Sequence, residues 1–205
     1  MTTQDAATLD LFAGRAALPN GFVYRPEFIA AHEEAALLAH IATLSLHEAQ
    51  YKTYTARRRV ASFGSSYDFS ENALNTEPPI PEWLLPLRDK VATWLDVPAP
   101  RFAHALVTEY RPGTALGWHR DVPQFAIVIG ISLASMCRMR FRPYMKEPVD
   151  AEGQRRRRAE TFELELAPRS AYVLRDDVRW RWQHSIPTTR TLRYSITFRT
   201  MRETR

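Results

Sequence analysis

His119 and Asp121 are separated by a single residue, Arg120, and the other five histidines of the chain lack an aspartate at that spacing. In an extended segment residues i and i+2 project to the same side, so this imidazole and carboxylate can grip one cation. His32–Glu33–Glu34 offers a formally similar His-x-Glu, but it lies in a stretch of helical period, where i and i+2 diverge. It reads as a solvated helix face. A third ligand must come from elsewhere in the chain. His184 is the best placed, between the strand-like stretch Arg179 to Trp182 and Pro187, at a strand end. Two imidazoles and one carboxylate that leave three positions open are the ligand set of non-haem Fe(II) oxygenases. The same set also suits a hydrolytic zinc site, and with six histidines in the chain one His-x-Asp by itself decides nothing.

What separates the two is the segment Arg193–Tyr194–Ser195–Ile196–Thr197–Phe198–Arg199, nine positions after His184. A period of two puts Arg193, Ser195, Thr197 and Arg199 on one face of a strand and Tyr194, Ile196 and Phe198 on the other. The apolar face packs. The polar face presents two guanidiniums and two hydroxyls. A guanidinium fork matches a carboxylate bidentately, which is the anchor that a dicarboxylate co-substrate such as 2-oxoglutarate needs while its 2-oxo acid end chelates iron. Zinc hydrolysis has no use for such a strand.

These blocks resemble the AlkB family of Fe(II)- and 2-oxoglutarate-dependent dioxygenases. The resemblance is carried by Thr108–Glu109–Tyr110–Arg111–Pro112–Gly113 running on to Trp118–His119–Arg120–Asp121, by His184–Ser185–Ile186–Pro187, and by the strand from Arg193 to Arg199, in the family's order and spacing. It implies that His119, Asp121 and His184 ligate Fe(II). It implies that Arg193 holds the distal carboxylate of 2-oxoglutarate with Tyr110 at the same end, and that Arg199 sits beneath the metal near Asp121 and the other carboxylate. Ser195 and Thr108 stand where better-known members carry Asn and are shorter donors in the co-substrate site. The implied chemistry consumes 2-oxoglutarate and O2, releases succinate and CO2, and hydroxylates an N-methyl group whose product sheds formaldehyde.

A further stretch, Arg58–Arg59–Val60–Ala61–Ser62–Phe63–Gly64 with Ser66–Tyr67–Asp68–Phe69–Ser70, resembles the nucleotide-recognition segment of the family's nucleic-acid demethylases. The resemblance implies that Phe69, with Tyr67 beside it, stacks on a flipped base opposite His119; an extruded base needs two flat walls. Arg57, Arg58 and Arg59 are candidates for phosphate contacts, and Trp118 is bulky enough to narrow the mouth. Where DNA-repair members place an acidic residue two positions after the metal-binding Asp, this chain has Pro123. Base selectivity is therefore expected to differ. Oxidative demethylation of alkylated DNA or RNA bases, as in repair, is the leading expectation. The same oxygenase chemistry on tRNA or protein side chains is a second. A nucleic-acid-binding module without turnover is a third, disfavoured because binding alone has no use for three metal ligands.

These residues must be positioned by a folded frame. From Pro26 apolar residues fall on one helical face (Phe28, Ile29, Leu37, Leu38, Ile41, Leu44), and a second helix is expected within Glu82 to Leu95, its regular part starting near Pro86. Tyr51 to Ser70 reads as short strands and turns. After Arg101 strands follow: His104 to Tyr110, Ala126 to Leu133 as a run buried on both faces, Cys137 to Arg142 in strict alternation, Thr161 to Leu166, Ser170 to Leu174 and Leu192 to Thr200. The pattern gives α+β, with N-terminal helices supporting one face of a sheet or double-sheet barrel, and the resemblance implies that this core is a double-stranded β-helix, or jelly roll, of antiparallel strands. Residues 1–25 are expected as a loose leader. Residues 26–205 are expected as one domain, with helices and the recognition segment over 26–100 and the jelly roll over 101–205. Glu152 to Arg158 reads as an exposed hairpin loop.

With 205 residues and 45% hydrophobic content the chain can bury a sizeable core. It contains one cysteine, Cys137, so no internal disulfide can form. No apolar run reaches the roughly 20 residues of a membrane span. These features, with no signal-peptide pattern at the start, give the expectation of a cytoplasmic monomer. Lys and Arg total 28 against 23 Asp and Glu, a net +5 concentrated in arginine clusters, which suits a polyanionic partner as well as a plain solubilising surface.

Overall fold

The computed structural model describes residues 18–51, 54–68, 73–76, 78–144 and 161–202. In chain order its elements are β1 (Phe22–Arg25), α1 (Ala31–Ala42), β2 (His47–Tyr51), β3 (Tyr54–Asp68), β4 (Ala73–Thr76), α2 (Leu85–Leu95), β5 (Phe102–Tyr110), β6 (Leu116–His119), β7 (Phe125–Leu133), β8 (Cys137–Pro143), β9 (Phe162–Leu166), β10 (Ala171–Leu174), α3 (Asp176–Arg181), β11 (Trp182–Ile186) and β12 (Arg193–Met201). Among the described residues two antiparallel sheets form. The major sheet runs β1-β10-β7-β12-β5-β3-β2, with β4 paired to β3 outside this path, and the minor sheet runs β6-β11-β8-β9. The two sheets face each other as the jelly roll expected from the resemblance.

Two cores flank the major sheet. On its outer face Leu37 and Ile41 of α1 and Leu87 and Val91 of α2 pack on Val107, Ile129, Ile131, Ile196 and Phe198. Between the sheets, Val128 and Tyr172 meet Met139, Phe141, Leu164 and Ile186. Strand β7 feeds both, its even positions turned inward and its odd positions outward, which is why its sequence reads as a continuous apolar run. Ala30, before α1, has no side-chain acceptor for a cap; instead its N–H donates to Glu33 Oε2 (2.7 Å), and the same carboxylate takes Lys90 Nζ of α2 at 2.7 and 2.8 Å. The two helices are thereby tied at their polar edge.

Four elements differ from the sequence expectation. Residues 22–25 are an edge strand paired with β10, so the ordered domain begins before Pro26. Phe28 and Ile29, read as helical, lie in the turn ahead of α1, where Phe28 N–H and Ile29 N–H both donate to Arg169 O. The stretch from Tyr51 is mostly one 15-residue strand, β3, and not several short ones; its arginines break the apolar alternation that marks a strand. Arg179 to Trp182 is not strand-like. Its Arg/Trp alternation closes helix α3, whose acidic first turn (Asp176, Asp177) and basic last turn (Arg179, Arg181) complement the helix dipole. His184 is consequently in the middle of β11 and not at a strand end. The leader up to residue 17 and the Glu152 to Arg158 loop lie outside the described residues.

Candidate metal centre and co-substrate cleft

His119 ends β6 and His184 is its cross-strand partner on β11. Their rings are 4.2 Å apart, tilted by 61°. Asp121 follows two residues beyond His119, and its Oδ2 stands 3.6 Å from His184 Nε2. One ligand atom from each of the three residues lies within 4.8 Å of the others. Pairing between β6 and β11 thus brings together residues 65 positions apart in the sequence, while local i, i+2 geometry supplies the third.

Each ligand is oriented from behind. His119 Nδ1 is 2.9 Å from Gly117 O, so the proton sits on Nδ1 and the Nε2 lone pair is left for a cation. Arg199 donates to Asp121 Oδ1 through Nε (3.0 Å) and Nη2 (2.9 Å), which leaves Oδ2 for a cation. Burial would raise the Asp121 carboxyl, but the charges around it, Arg199 foremost, hold it well below the usual carboxylate range. Burial, then the neighbouring His119, pushes His184 down to about 3, and burial also lowers His119. At neutral pH the set is two neutral imidazoles and one carboxylate, the protonation states that ligate.

Arg199 is itself supported by His104, which the sequence marked only as the start of a strand. Its Nη1 is 3.2 Å from His104 Nδ1. Arginine can only donate, so His104 Nδ1 accepts, and His104 Nε2–H donates to Ser62 Oγ at 3.1 Å. Burial and the Arg199 charge hold His104 to about 3, in keeping with a neutral ring. A second missed residue is Arg179, 3% exposed. Its Nη2 donates to Val122 O and Phe125 O and so fixes the turn that follows Asp121. Neither role has a local sequence signal, since both depend on pairs 42 or more residues apart.

A cleft opens above the three ligands, and Thr108, Tyr110, Ser195, Thr197 and Arg199 line it, as the alternation of β5 and β12 requires. Ser195 pairs with Thr108 and Arg193 with Tyr110 across these strands. Arg193 lies just behind the deep end, 1% exposed, its guanidinium 5.0 Å from the Tyr110 ring centre. Its Nε is 3.3 Å from Ser132 Oγ, and its Nη1 has no hydrogen-bond partner. A buried guanidinium nitrogen left unmatched is costly unless an anion completes it. Sequence reading also missed Tyr172, which lines the same end. Its ring lies where a Cβ on Gly130 would stand, 2.3 Å away at the nearest atom, so a glycine is required beneath it.

Arg58 lines the cleft from β3, close enough to His119 for its charge to lower that imidazole. Tyr67 is in β3, paired with Leu74 of β4. Phe69 lies outside the described residues. Trp118 is not at the mouth: the alternation that turns His119 inward turns Trp118 to the outer face of the minor sheet, under the guanidiniums of Arg140 (5.2 Å) and Arg142 (4.4 Å). Pro123 is exposed in the turn after Asp121.

The donors fit a resident Fe(II), and the orphaned nitrogen of Arg193 fits a carboxylate of a bound co-substrate. Comparison with known proteins agrees. Residues 22–199 match the model of the 2OG-Fe(II) oxygenase superfamily, and the chain belongs to that family. It is 25% identical over 202 residues to the Arabidopsis thaliana alkylated DNA repair protein ALKBH8 homolog, covering 89% of this chain and 55% of that protein. It is 30% identical over 139 residues to the uncharacterized protein L905 of Acanthamoeba polyphaga mimivirus, covering 57% of this chain and 61% of that one. The chain therefore spans little more than half the length of these curated relatives. Its fold resembles the structure of OsALKBH1 (TM-score 0.61, 15% identity, 90% of this chain and 99% of that one). It also resembles a Pseudomonas putida prolyl-4-hydroxylase (TM-score 0.59, 14% identity, 90% and 94%). Among the described residues no helix is long and apolar enough to cross a membrane.

Proposed function

We propose that this chain is an Fe(II)- and 2-oxoglutarate-dependent dioxygenase that oxidatively demethylates alkylated bases of nucleic acid. The observation that carries the reading is the pairing of a ready ligand set with an unsatisfied buried cation: His119, Asp121 and His184 converge at one point, and Arg193, buried beside the cleft-lining Tyr110, has an Nη1 with no hydrogen-bond partner. Fe(II) held there, with 2-oxoglutarate and O2, supplies the oxidising power to hydroxylate a C–H bond. The chain's own residues do the rest. His119 and His184 offer neutral nitrogens, and Arg199 keeps Asp121 ionised and aimed. Arg193, with Tyr110, receives the distal carboxylate of the co-substrate. Thr108 and Ser195 present hydroxyls to its other groups.

The nucleic-acid substrate is supported by the likeness to an Arabidopsis protein named for alkylated DNA repair, by the basic β3 strand with Arg58 turned into the cleft, and by the net charge of +5. Single-stranded DNA and RNA oligonucleotides carrying methylated bases, incubated with Fe(II), 2-oxoglutarate and ascorbate, test it. Loss of the methyl mass with matching formaldehyde and succinate is expected. Succinate formed without demethylation of either strand would remove the substrate and leave the oxygenase. A panel of methylated tRNA and methyl-lysine peptides then separates the remaining substrates.

A further inference from the structure

The outer face of the minor sheet carries a row of side chains that the metal centre does not use. Strand β8 alternates Met139 and Phe141 inward with Arg138, Arg140 and Arg142 outward. Trp118, from β6, reaches across β11 to lie under Arg140 and Arg142. Arg140 Nε donates to Ser185 Oγ (3.2 Å) and Arg142 Nε to Gln183 Oε1 (2.9 Å). Beyond them Arg120 stacks its guanidinium 3.7 Å from the ring centre of Tyr144, which is 39% exposed, and anchors Nη1 on Trp180 O at 3.1 Å.

Each of these three arginines is thus held by one aromatic face and one neutral hydrogen bond. Among the described residues none of the three forms an ion pair with a carboxylate, whereas the neighbouring Arg138 faces Glu163 (3.6 Å) and Glu165 (3.9 Å) on β9. Glu165 and Glu163 are the cross-strand partners of Arg138 and Arg140, so acidic charge lies along the β9 side of the row, while its β6 side carries Trp118 and Arg120. Arg140 and Arg142, fixed through Nε and a flat face, leave their Nη donors to meet an anion, and Arg120, fixed through Nη1, leaves Nη2, each at reduced cost in side-chain entropy. Trp118 and Arg120 flank His119 in sequence, so the row begins one strand away from the metal cleft.

We propose that the Arg120–Arg140–Arg142 row with Trp118 and Tyr144 binds the phosphate backbone of a single-stranded nucleic acid, gripping the segment that flanks the base in the cleft. Fixed cations complement regularly spaced phosphates, and the exposed aromatic edge beside them suits an unstacked strand. The inference rests on the nucleic-acid reading above and adds a second, chemistry-free contact to it.

Fluorescence anisotropy of labelled, unmethylated 20-nucleotide single-stranded RNA and DNA, titrated between 50 and 200 mM salt, tests the row directly. Arg140→Gln with Arg142→Gln is expected to weaken binding about tenfold or more and to make the log–log salt dependence shallower by about 0.7 per arginine lost. Uncoupled succinate production by the same variant is expected to stay within about twofold of the parent. A charge-matched control on α2, Arg88→Gln with Lys90→Gln, is expected to change affinity by no more than about twofold. Arg120→Gln, at an exposed position, gives the same reading if the double variant does not fold. Equal affinity and unchanged salt slope in the row variants, with the parent binding normally, overturn this inference alone. A parent that binds neither strand at 50 mM salt overturns the nucleic-acid reading as well. Poly-glutamate of matched charge bound as tightly as RNA would reassign the row to acidic proteins.

Discussion

The two arginines near the ends of β12 occupy the same face of one strand and have opposite surroundings. Arg199 has its nitrogens engaged by Asp121 and His104. Arg193 is the more deeply buried, yet beside the Tyr110 ring it has one long hydrogen bond, to Ser132, and an Nη1 without a hydrogen-bond partner. A cation whose partners are internal holds a structure together. A cation whose partner is missing is completed by a ligand. The difference supports the proposed roles, Arg199 behind the metal ligands and Arg193 toward the co-substrate, though sequence spacing alone treats them alike.

The comparison breaks most severely if Asp121 is removed. Asp121→Ala deletes a ligand and also turns Arg199 into a second unpaired cation. Turnover of 2-oxoglutarate is expected to fall more than about 100-fold, and saturating Fe(II) should not restore it; appreciable activity at high Fe(II) would refute the ligand assignment. Next is Arg193→Gln. Removing one partner of a buried charge pair costs about 2–5 kcal/mol, so the KM for 2-oxoglutarate should rise by about 30-fold or more. Stability without co-substrate should hold or increase, because a buried unmatched charge has gone. In the parent, 2-oxoglutarate at about 100 times its Kd should add about 2.7 kcal/mol of stability, visible as a thermal shift that this variant lacks.

Arg199→Gln should do the reverse. Metal affinity is expected to drop about 10- to 100-fold, measured by Fe(II) titration of turnover, and Tm should fall. His104 gives a fourth test. In the folded chain it is held to about 3 against an ordinary value of 6.5. The unfolded chain takes up a proton first as pH falls, so this stabilisation is complete above about pH 6.5 and is lost toward pH 3. His184 shifts in the same direction. Urea midpoints of the parent should therefore decline through this window, and His104→Gln should flatten the decline; an unchanged slope would show that His104 titrates normally. The smallest effect is Tyr172→Phe. It keeps the ring over Gly130 and removes one neutral hydroxyl, worth about 0.5–1.5 kcal/mol, so the KM for 2-oxoglutarate should rise by only a few-fold.

How much of this was legible in the sequence follows the range of each interaction. The inward residues of β12, the buried run of β7 and the His119/Asp121 pair are period-two facts, and the structure reproduces them. Pro86 marked the start of α2 for a similarly local reason. His104 and Arg179 stayed hidden because their partners are on distant strands. Trp118 went astray although its position was local: beside His119 on a strand, the same alternation that supports the ligand must send its neighbour away. The α3 helix was misread because four residues alternating Arg and Trp imitate a strand when the preceding aspartates are left out of account.

Strand β3 holds a last consequence. Its pairing with β5 ends at Gly64, opposite His104, and from Ser65 onward its partner is β4. Gly64 has φ +84°, and a Cβ there would meet Ala103 O at 2.1 Å. One residue therefore divides a strand that is locked to the catalytic sheet from a ribbon that is not. Changes within the paired segments 65–68 and 73–76 are expected to leave the β3–β5 register intact, and with it the Ser62–His104–Arg199 chain behind Asp121. The β3–β4 ribbon can therefore be exchanged as a cassette while the residues behind the metal ligands stay where they are.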